Sequence, residues 1–355
     1  MVLRLEFQTS RSVKGLGDYQ PFYKLKIKVM KLPVIVGVDI SKSTLDIFVL
    51  PHRTFVQIPN TAAGFKQWLS ELRGCHSEQN ILIVMEHTGR YSHRLEEFLQ
   101  TCGIKYCKIA ALQIKRSLGI TRGKSDKIDA ERIAQYGWLR KEILQVEDML
   151  QPKLLQLQSL LGYRAKLVRD RAGYISRLKE LIATRSAKAG AFEAKSHERI
   201  IKHLSGEITR IEEQIRSLIQ SDQALDKTNR LLQSIKGVGW IVAAYMICCT
   251  SNFKKFTNAR KFNCYAGLAP FKHESGSSIR ARSRVSHLAN KDAKTLLNLA
   301  AFTALRHDPE LKNYYRRRIE EGKRKMSCVN IIRAKIVSRM FAVIKRQTPY
   351  YQVAA

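Results

Sequence analysis

Three short β-rich runs follow one another with little chain between them: VIVGVDI at 34–40, LDIFVL at 45–50 and TFVQI at 54–58. Their apolar, β-branched content predicts three strands in quick succession. AAGFKQWLSEL at 62–72 carries apolar residues at helical spacing and reads as an amphipathic helix, and ILIVME at 81–86 reads as a fourth, buried strand. A helix over about 90–102, a fifth strand IKYCKIA at 104–110, a basic loop and a helix beginning near Asp126 complete the series. Close strands followed by strands alternating with helices define an α/β domain.

That element order is the one found in ribonuclease H-like domains, and it ends near residue 145. From Leu154 to Ile219 the chain turns helical and highly charged. Ile201, Leu204, Ile208, Ile211, Ile215 and Leu218 recur at steps of 3 and 4, and Leu154, Leu157, Leu161, Val168, Ile175 and Leu178 form a second stripe. The two stripes predict a helical hairpin over 150–222, either packed on itself or used in oligomerisation. A third region, 227–347, opens with LLQSIKGVGWIVAAYMI, in which Gly237 and Gly239 flank one residue between two apolar helical stretches. This is the layout of a helix-hairpin-helix turn whose backbone N–H groups face a phosphate, and equally of any tight turn between helices. The rest is expected to be mostly helical. Residues 1–33 lack such pattern and form an N-terminal extension; a start at Met30, just ahead of the first strand, would make the first 29 residues a mis-assigned addition.

Charge names the partner class. Lys and Arg number 63 against 30 Asp and Glu, a formal charge of +33, and such an excess calls for a polyanion. With 45% hydrophobic residues in 355, disorder is excluded and more than one compact domain is expected. Seven cysteines, an odd number without C-x2-C pairs, read as reduced thiols of a cytosolic protein. The longest apolar run, Ile241 to Cys249, is too short to span a bilayer at about 20 residues per crossing.

Acidic residues stand out against this background. Asp39 lies at the end of the first strand and Glu86 at the end of the fourth, so both carboxylates emerge at one edge of a sheet. Asp126 and Asp129, in SDKIDAERIA, are three apart and face the same way on a helix. Singly, each is an ordinary turn or helix-start residue. Together, four converging carboxylates suit a divalent cation, and hard oxygen ligands favour Mg2+ or Mn2+ for phosphoryl transfer.

Five blocks carry a family resemblance: GVDISKSTLDIFVL, the NTAAGFKQWL helix, MEHTGRY, KSDKIDAERIA and FNCYAGLAPFKHESGSSIRARSRVSHLANKDAKTLL. In this order they resemble the DEDD transposases of insertion sequences, related to the Piv and MooV invertases, over nearly everything from Val34 to the C-terminal tail. The resemblance implies a RuvC-like domain over 34–145, with Asp39, Glu86, Asp126 and Asp129 as its acids, and a C-terminal transposase domain with Ser275 of HESGSS as nucleophile. By composition alone that serine sits in an ordinary loop. Arg280, Arg282 and Arg284, at every second position, either line one side of an extended segment against backbone phosphates or form a solvated basic face. The resemblance further implies a covalent phosphoserine intermediate, guidance by a structured non-coding RNA encoded in the element, donor and target DNA as partners, and a homo-oligomer, dimer to tetramer, with a composite site. HLANKDAKTLL departs from the family pattern, since Ala289 and Lys294 stand where glycine and arginine are usual. The competing enzyme is a RuvC-like hydrolytic nuclease or junction resolvase without a serine adduct. A sugar-kinase or actin-like ATPase reading of GVDISKST fits Lys42 and the basic bias poorly, and a nucleic-acid-binding scaffold with degenerate acids is the non-enzymatic alternative.

Overall fold

The computed structural model describes residues 33–77, 80–87, 89–117, 125–144, 146–147, 152–186, 190–275 and 279–351. All of the N-terminal extension except Pro33 lies outside them, as does most of the basic loop ahead of Asp126. Two compact units divide the chain, Met1–Met149 and Leu150–Ala355.

In the first unit β1 (Val34–Ile40), β2 (Thr44–Leu50) and β3 (Thr54–Pro59) form an antiparallel meander. α1 (Ala62–Cys75), capped by the Thr61 side chain on the Gly64 N–H, returns the chain so that β4 (Ile81–Glu86) joins β1 in parallel. α2 (His93–Thr101), entered through a 3-10 turn at Gly89–Ser92, leads to β5 (Tyr106–Ile109), parallel to β4. The resulting order is β3-β2-β1-β4-β5. β5 is shorter than the apolar run 104–110 because Gly103, at φ +69, closes α2 and the Ile104 N–H donates back to the Leu99 carbonyl.

Both faces of this sheet are covered, which is why its central strands read as continuous apolar runs. Val36, Val38, Leu45, Ile47 and Ile83 pack against Phe65, Trp68 and Leu69 of α1 and Leu95 and Leu99 of α2. On the other face Ile35, Phe48, Val84 and Ile109 meet Ile114 of α3 (Ala111–Ser117) and Ala130, Ile133 and Ala134 of α4 (Asp126–Arg140). α4 lies unusually close. A Cβ at Gly37 of β1 would stand 2.3 Å from the Ala134 nitrogen and 2.4 Å from the Ala130 carbonyl oxygen, and one at Gly137 would stand 2.7 Å from a Val84 methyl.

The second unit is mostly helical. α5 (Pro152–Thr184) and α6 (Ala191–Gln220) pair as a hairpin, with Leu154, Leu157 and Leu161 buried against Ile208, Ile211 and Ile215. Arg164 bridges the two helices to Glu212 at 2.6 Å. Farther out the stripes are less covered: Val168, Leu178, Ile201 and Leu204 are half-buried and Ile175 is exposed. The buried end gains its cover from α7 (Gln223–Gln233) and α8 (Trp240–Cys249), whose Leu225 and Val242 share the same core. α9 (Ala259–Tyr265), the antiparallel pair β6 (Pro270–Ser275) and β7 (Ile279–Val285), α10 (Lys291–His307), α11 (Pro309–Glu320) and α12 (Lys325–Arg346) follow. Phe262, Leu297, Ala300, Ile332 and Ile336 make up the centre of that core. Among the described residues no helix is long and apolar enough to cross a membrane.

The contact at Gly37 generates a prediction. Gly37→Ala drives a methyl into the backbone of α4, so unfolding in urea should show a loss of about 1–3 kcal/mol. Gly74→Ala, where an added Cβ meets nothing within 4 Å, should stay within about 1 kcal/mol of the parent. Equal stability of the two variants would contradict the close packing of α4 on β1.

Candidate active site

Strand alternation decides which carboxylates meet. Val34, Val36 and Val38 of β1 point to the α1 side, so Ile35, Gly37 and Asp39 point to the α4 side. By the same alternation Glu86 lies with Leu82 and Val84 on the α4 side of β4. Ser125 caps α4 by accepting from the Ile128 N–H at 3.3 Å, which places Asp126 and Asp129 in the first turn. The small residues Ala130, Ala134 and Gly137 then let α4 lie down on Gly37.

The charges respond to this proximity. The Asp39 carboxyl is held above its ordinary value, first by burial and then by the charge of Asp129, with Asp126 and Asp46 adding to the rise and the Ile40 backbone opposing it. Glu86 is raised likewise, by burial, by Asp39 and by Asp129. Asp39, Glu86 and Asp129 therefore share one electrostatic site. Asp126, on the exposed first turn, acts on Asp39 only. Arg132 holds the Asp129 carboxylate at 3.0 Å. Among the described residues no three His, Cys, Asp or Glu side chains are drawn close enough to cage a cation as they stand.

Two residues of the neighbourhood escaped the sequence reading. Asp46 is the cross-strand partner of Asp39, 3% exposed, and accepts from Gln57 Nε2 at 2.9 Å. Asn60, buried at the β3–α1 junction, donates to the Ser41 carbonyl at 2.9 Å and the Tyr91 carbonyl at 3.2 Å. It thereby fixes the β1–β2 turn, which follows Asp39, to the 3-10 turn, which follows Glu86. Within the β1–β2 turn the Ser41 hydroxyl accepts from the Thr44 N–H and the Ser41 N–H donates to the Thr44 carbonyl.

The remaining candidates lie in the second unit. Ser275 is the last residue of β6 and pairs across the hairpin with Ile279; Ser277 and Ser278 lie outside the described residues. β7 is extended, but a register shift opposite Phe271 and His273 interrupts the alternation between Ala281 and Arg284. Arg284 is exposed, whereas the side chains of Arg280 and Arg282 lie outside the described residues. Gly237 has φ +94 and packs on α10, where a Cβ would stand 2.5 Å from the Ala300 carbonyl oxygen. Packing alone accounts for that glycine. Gly239 is the exposed N-cap of α8, with open space around it.

Carboxylates at neighbouring strand ends, inside a chain of +33 formal charge, suit the class of enzymes that act on a phosphodiester backbone. Comparison with known families narrows the class. A model of the DEDD, IS110-type transposases matches residues 36–185, and one described as Transposase IS116/IS110/IS902 family matches residues 229–316. The pilin gene-inverting protein of Moraxella bovis is 27% identical over 329 residues, covering 89% of this chain and 97% of that protein. The transposase for insertion sequence element IS1111A of Coxiella burnetii is 25% identical over 321 residues, 80% of this chain and 81% of that protein. The chain belongs to the IS110 family of DEDD transposases, and is a DNA transposase/recombinase.

The raised carboxyls make stability depend on pH. Folded-state values above the ordinary 3.8 of Asp39 and 4.5 of Glu86 mean stability that is present below those values and lost as pH rises through the raised ones. In chelator, the protein should therefore melt lower at neutral than at weakly acidic pH on account of these groups. Asp39→Asn should flatten that dependence and raise the neutral melting temperature. A variant melting below the parent at neutral pH contradicts the repulsion.

Proposed function

We propose that this transposase cuts and rejoins DNA strands through a RuvC-like acidic site, made of Asp39, Glu86, Asp126 and Asp129, and a nucleophilic serine, Ser275. The single observation carrying the acidic half is the placement of Asp39 and Glu86 on the side of the sheet where α4 packs against β1, with burial first and then neighbouring charge, that of Asp129 included, raising both carboxyls. A five-stranded mixed sheet covered by helices on both faces supports the RuvC-like reading. Support for the serine is its place in a family-matched segment, at the end of a β-hairpin. The proposed domains are those read from the sequence: 34–145 RuvC-like, 150–222 hairpin, 227–347 transposase.

Oxygen donors that repel one another suit a hard divalent cation, Mg2+ or Mn2+, and Asp39, Glu86, Asp126 and Asp129, which would have to draw closer than they stand, are the residues that would hold it. When bound, such a cation supplies charge neutralisation and Lewis-acid polarisation of a phosphoryl oxygen. The chain's own part is to present carboxylate oxygens from two strands and a helix, with Asn60 fixing the turns that follow Asp39 and Glu86. The Ser275 hydroxyl attacks phosphorus, its oxygen forms the new ester as the O–P bond to the 3′-oxygen breaks, and its proton leaves to solvent or a neighbouring base. The resulting phosphoserine preserves the ester for rejoining. Basic residues hold backbone phosphates throughout. The family resemblance further favours a structured guide RNA encoded in the element and a homo-oligomer, dimer to tetramer.

A nicked suicide DNA substrate tests this reading. Wild type should accumulate a covalent protein–DNA adduct; Ser275→Ala should remove it, and Asp39→Asn should lower strand cleavage by roughly 10²-fold or more. Partial recovery on mixing the two variants would assign the acids and the serine to different subunits. Free 5′-phosphate ends formed by Ser275→Ala at the wild-type rate would make water the nucleophile and the protein a hydrolytic nuclease.

A further inference from the structure

Arg333 of α12 is 5% exposed, and among the described residues no carboxylate pairs with it. Its Nη1 donates to Asn330 Oδ1 at 3.3 Å, its Nη2 donates to Asn298 Oδ1, and its Nε is buried without a partner. Two neutral amides thus take up two of five N–H donors and none of the charge. Beside it stands a second cation. Lys294 of α10 donates from Nζ to the Gly267 carbonyl at 3.1 Å, and burial together with the Arg333 charge lowers its pKa, with no acid acting on it. Buried charges are nearly always paired, because taking one out of water costs several kcal/mol. Two neighbouring cations that have no anion among the described residues are an incomplete arrangement.

The donors left over face one way. Lys291, Lys294 and Asn298 lie at i, i+3 and i+7 along α10, exposed, half-buried and half-buried. Asn298 Oδ1 accepts from Arg333, so what this side chain can offer an anion is its amide N–H groups. We infer that Lys294 and Asn298, backed by the Arg333 guanidinium, form a binding site for one backbone phosphate of the DNA substrate.

The site stands at the foot of the β6–β7 hairpin. Gly267, held by Lys294, and Leu268, whose carbonyl accepts from Asn330 Nδ2 at 2.7 Å, immediately precede β6. Five residue steps of strand separate Pro270 from Ser275, about 17 Å. The phosphate held here is therefore not the one Ser275 would attack but one farther along the strand. A phosphate at this foot draws Lys294 and, through Gly267, the start of β6, so the contact also positions the hairpin. This inference rests on DNA being the substrate and not on the identity of the nucleophile.

The test measures binding of a short labelled DNA duplex to full-length protein as a function of salt. Lys294→Gln should bind roughly tenfold more weakly, and its log–log salt slope should fall by about one. Lys294→Arg should restore both. Arg333→Gln should weaken binding in the same direction, and because Lys294 is only half-buried its variants test the site even if Arg333→Gln folds poorly. In a duplex series with single phosphates replaced by neutral methylphosphonates, one position should cost the wild type about tenfold and cost Lys294→Gln nothing. Wild-type affinity and slope in Lys294→Gln overturn the site while leaving DNA binding intact; no duplex binding by wild type overturns both. Loss of affinity for an RNA duplex but not for DNA would overturn the DNA assignment.

Discussion

The approach of α4 to β1 is the contact on which the acidic site depends. It is set by what is missing: a side chain at Gly37, where any Cβ would meet the backbone at Ala130 and Ala134. Because the helix can lie that close, the acids of its first turn reach the strand-end carboxylate of Asp39. The same approach partly buries Asp39 and Glu86 and sets Asp129 beside them, and burial first, then that repulsion, raises both carboxyls. Packing energy from Ile133 and its neighbours against Ile35 and Val84 thus holds together charges that would otherwise separate.

An analogous arrangement recurs in the second unit with the opposite sign. There the core formed by α10 and α12 keeps Arg333 and Lys294 near each other, with no acid paired to them among the described residues. Arg339 of the same helix is paired in the ordinary way, bridging Asp308 at 2.6 Å and Glu310 at 2.7 Å. The contrast between Arg339 and Arg333, six residues apart on one helix, marks the second as a position kept for an outside anion.

Much of this was legible in the sequence because its signals were periodic. β1 and β4 have the bounds their apolar runs indicate, and Ser125 and the acids after it mark the start of α4. The hairpin stripes located α5 and α6 but not how unevenly they are covered, since burial at Leu157 depends on what packs at that end. β5 was over-extended because an apolar Ile104 that closes a helix reads the same as one that opens a strand. Asp46 was legible in principle. A tight turn centred on Lys42 and Ser43 pairs the positions three residues to either side, and those are Asp39 and Asp46. Asn60 and Arg333 gave no signal, because their roles lie in partners 19 to 35 residues away or, for Arg333 Nε, in a partner lacking among the described residues.

The most direct test of the central claim is the melting temperature of the nucleic-acid-free protein as Mg2+ is titrated at neutral pH, beside Asp39→Asn and Glu86→Gln. If the carboxylates on the α4 side of the sheet form a cation site whose repulsion the cation relieves, the wild type should show a saturable rise and both variants should lose it. A wild type indifferent to Mg2+, or variants that rise in parallel with it, would contradict the account.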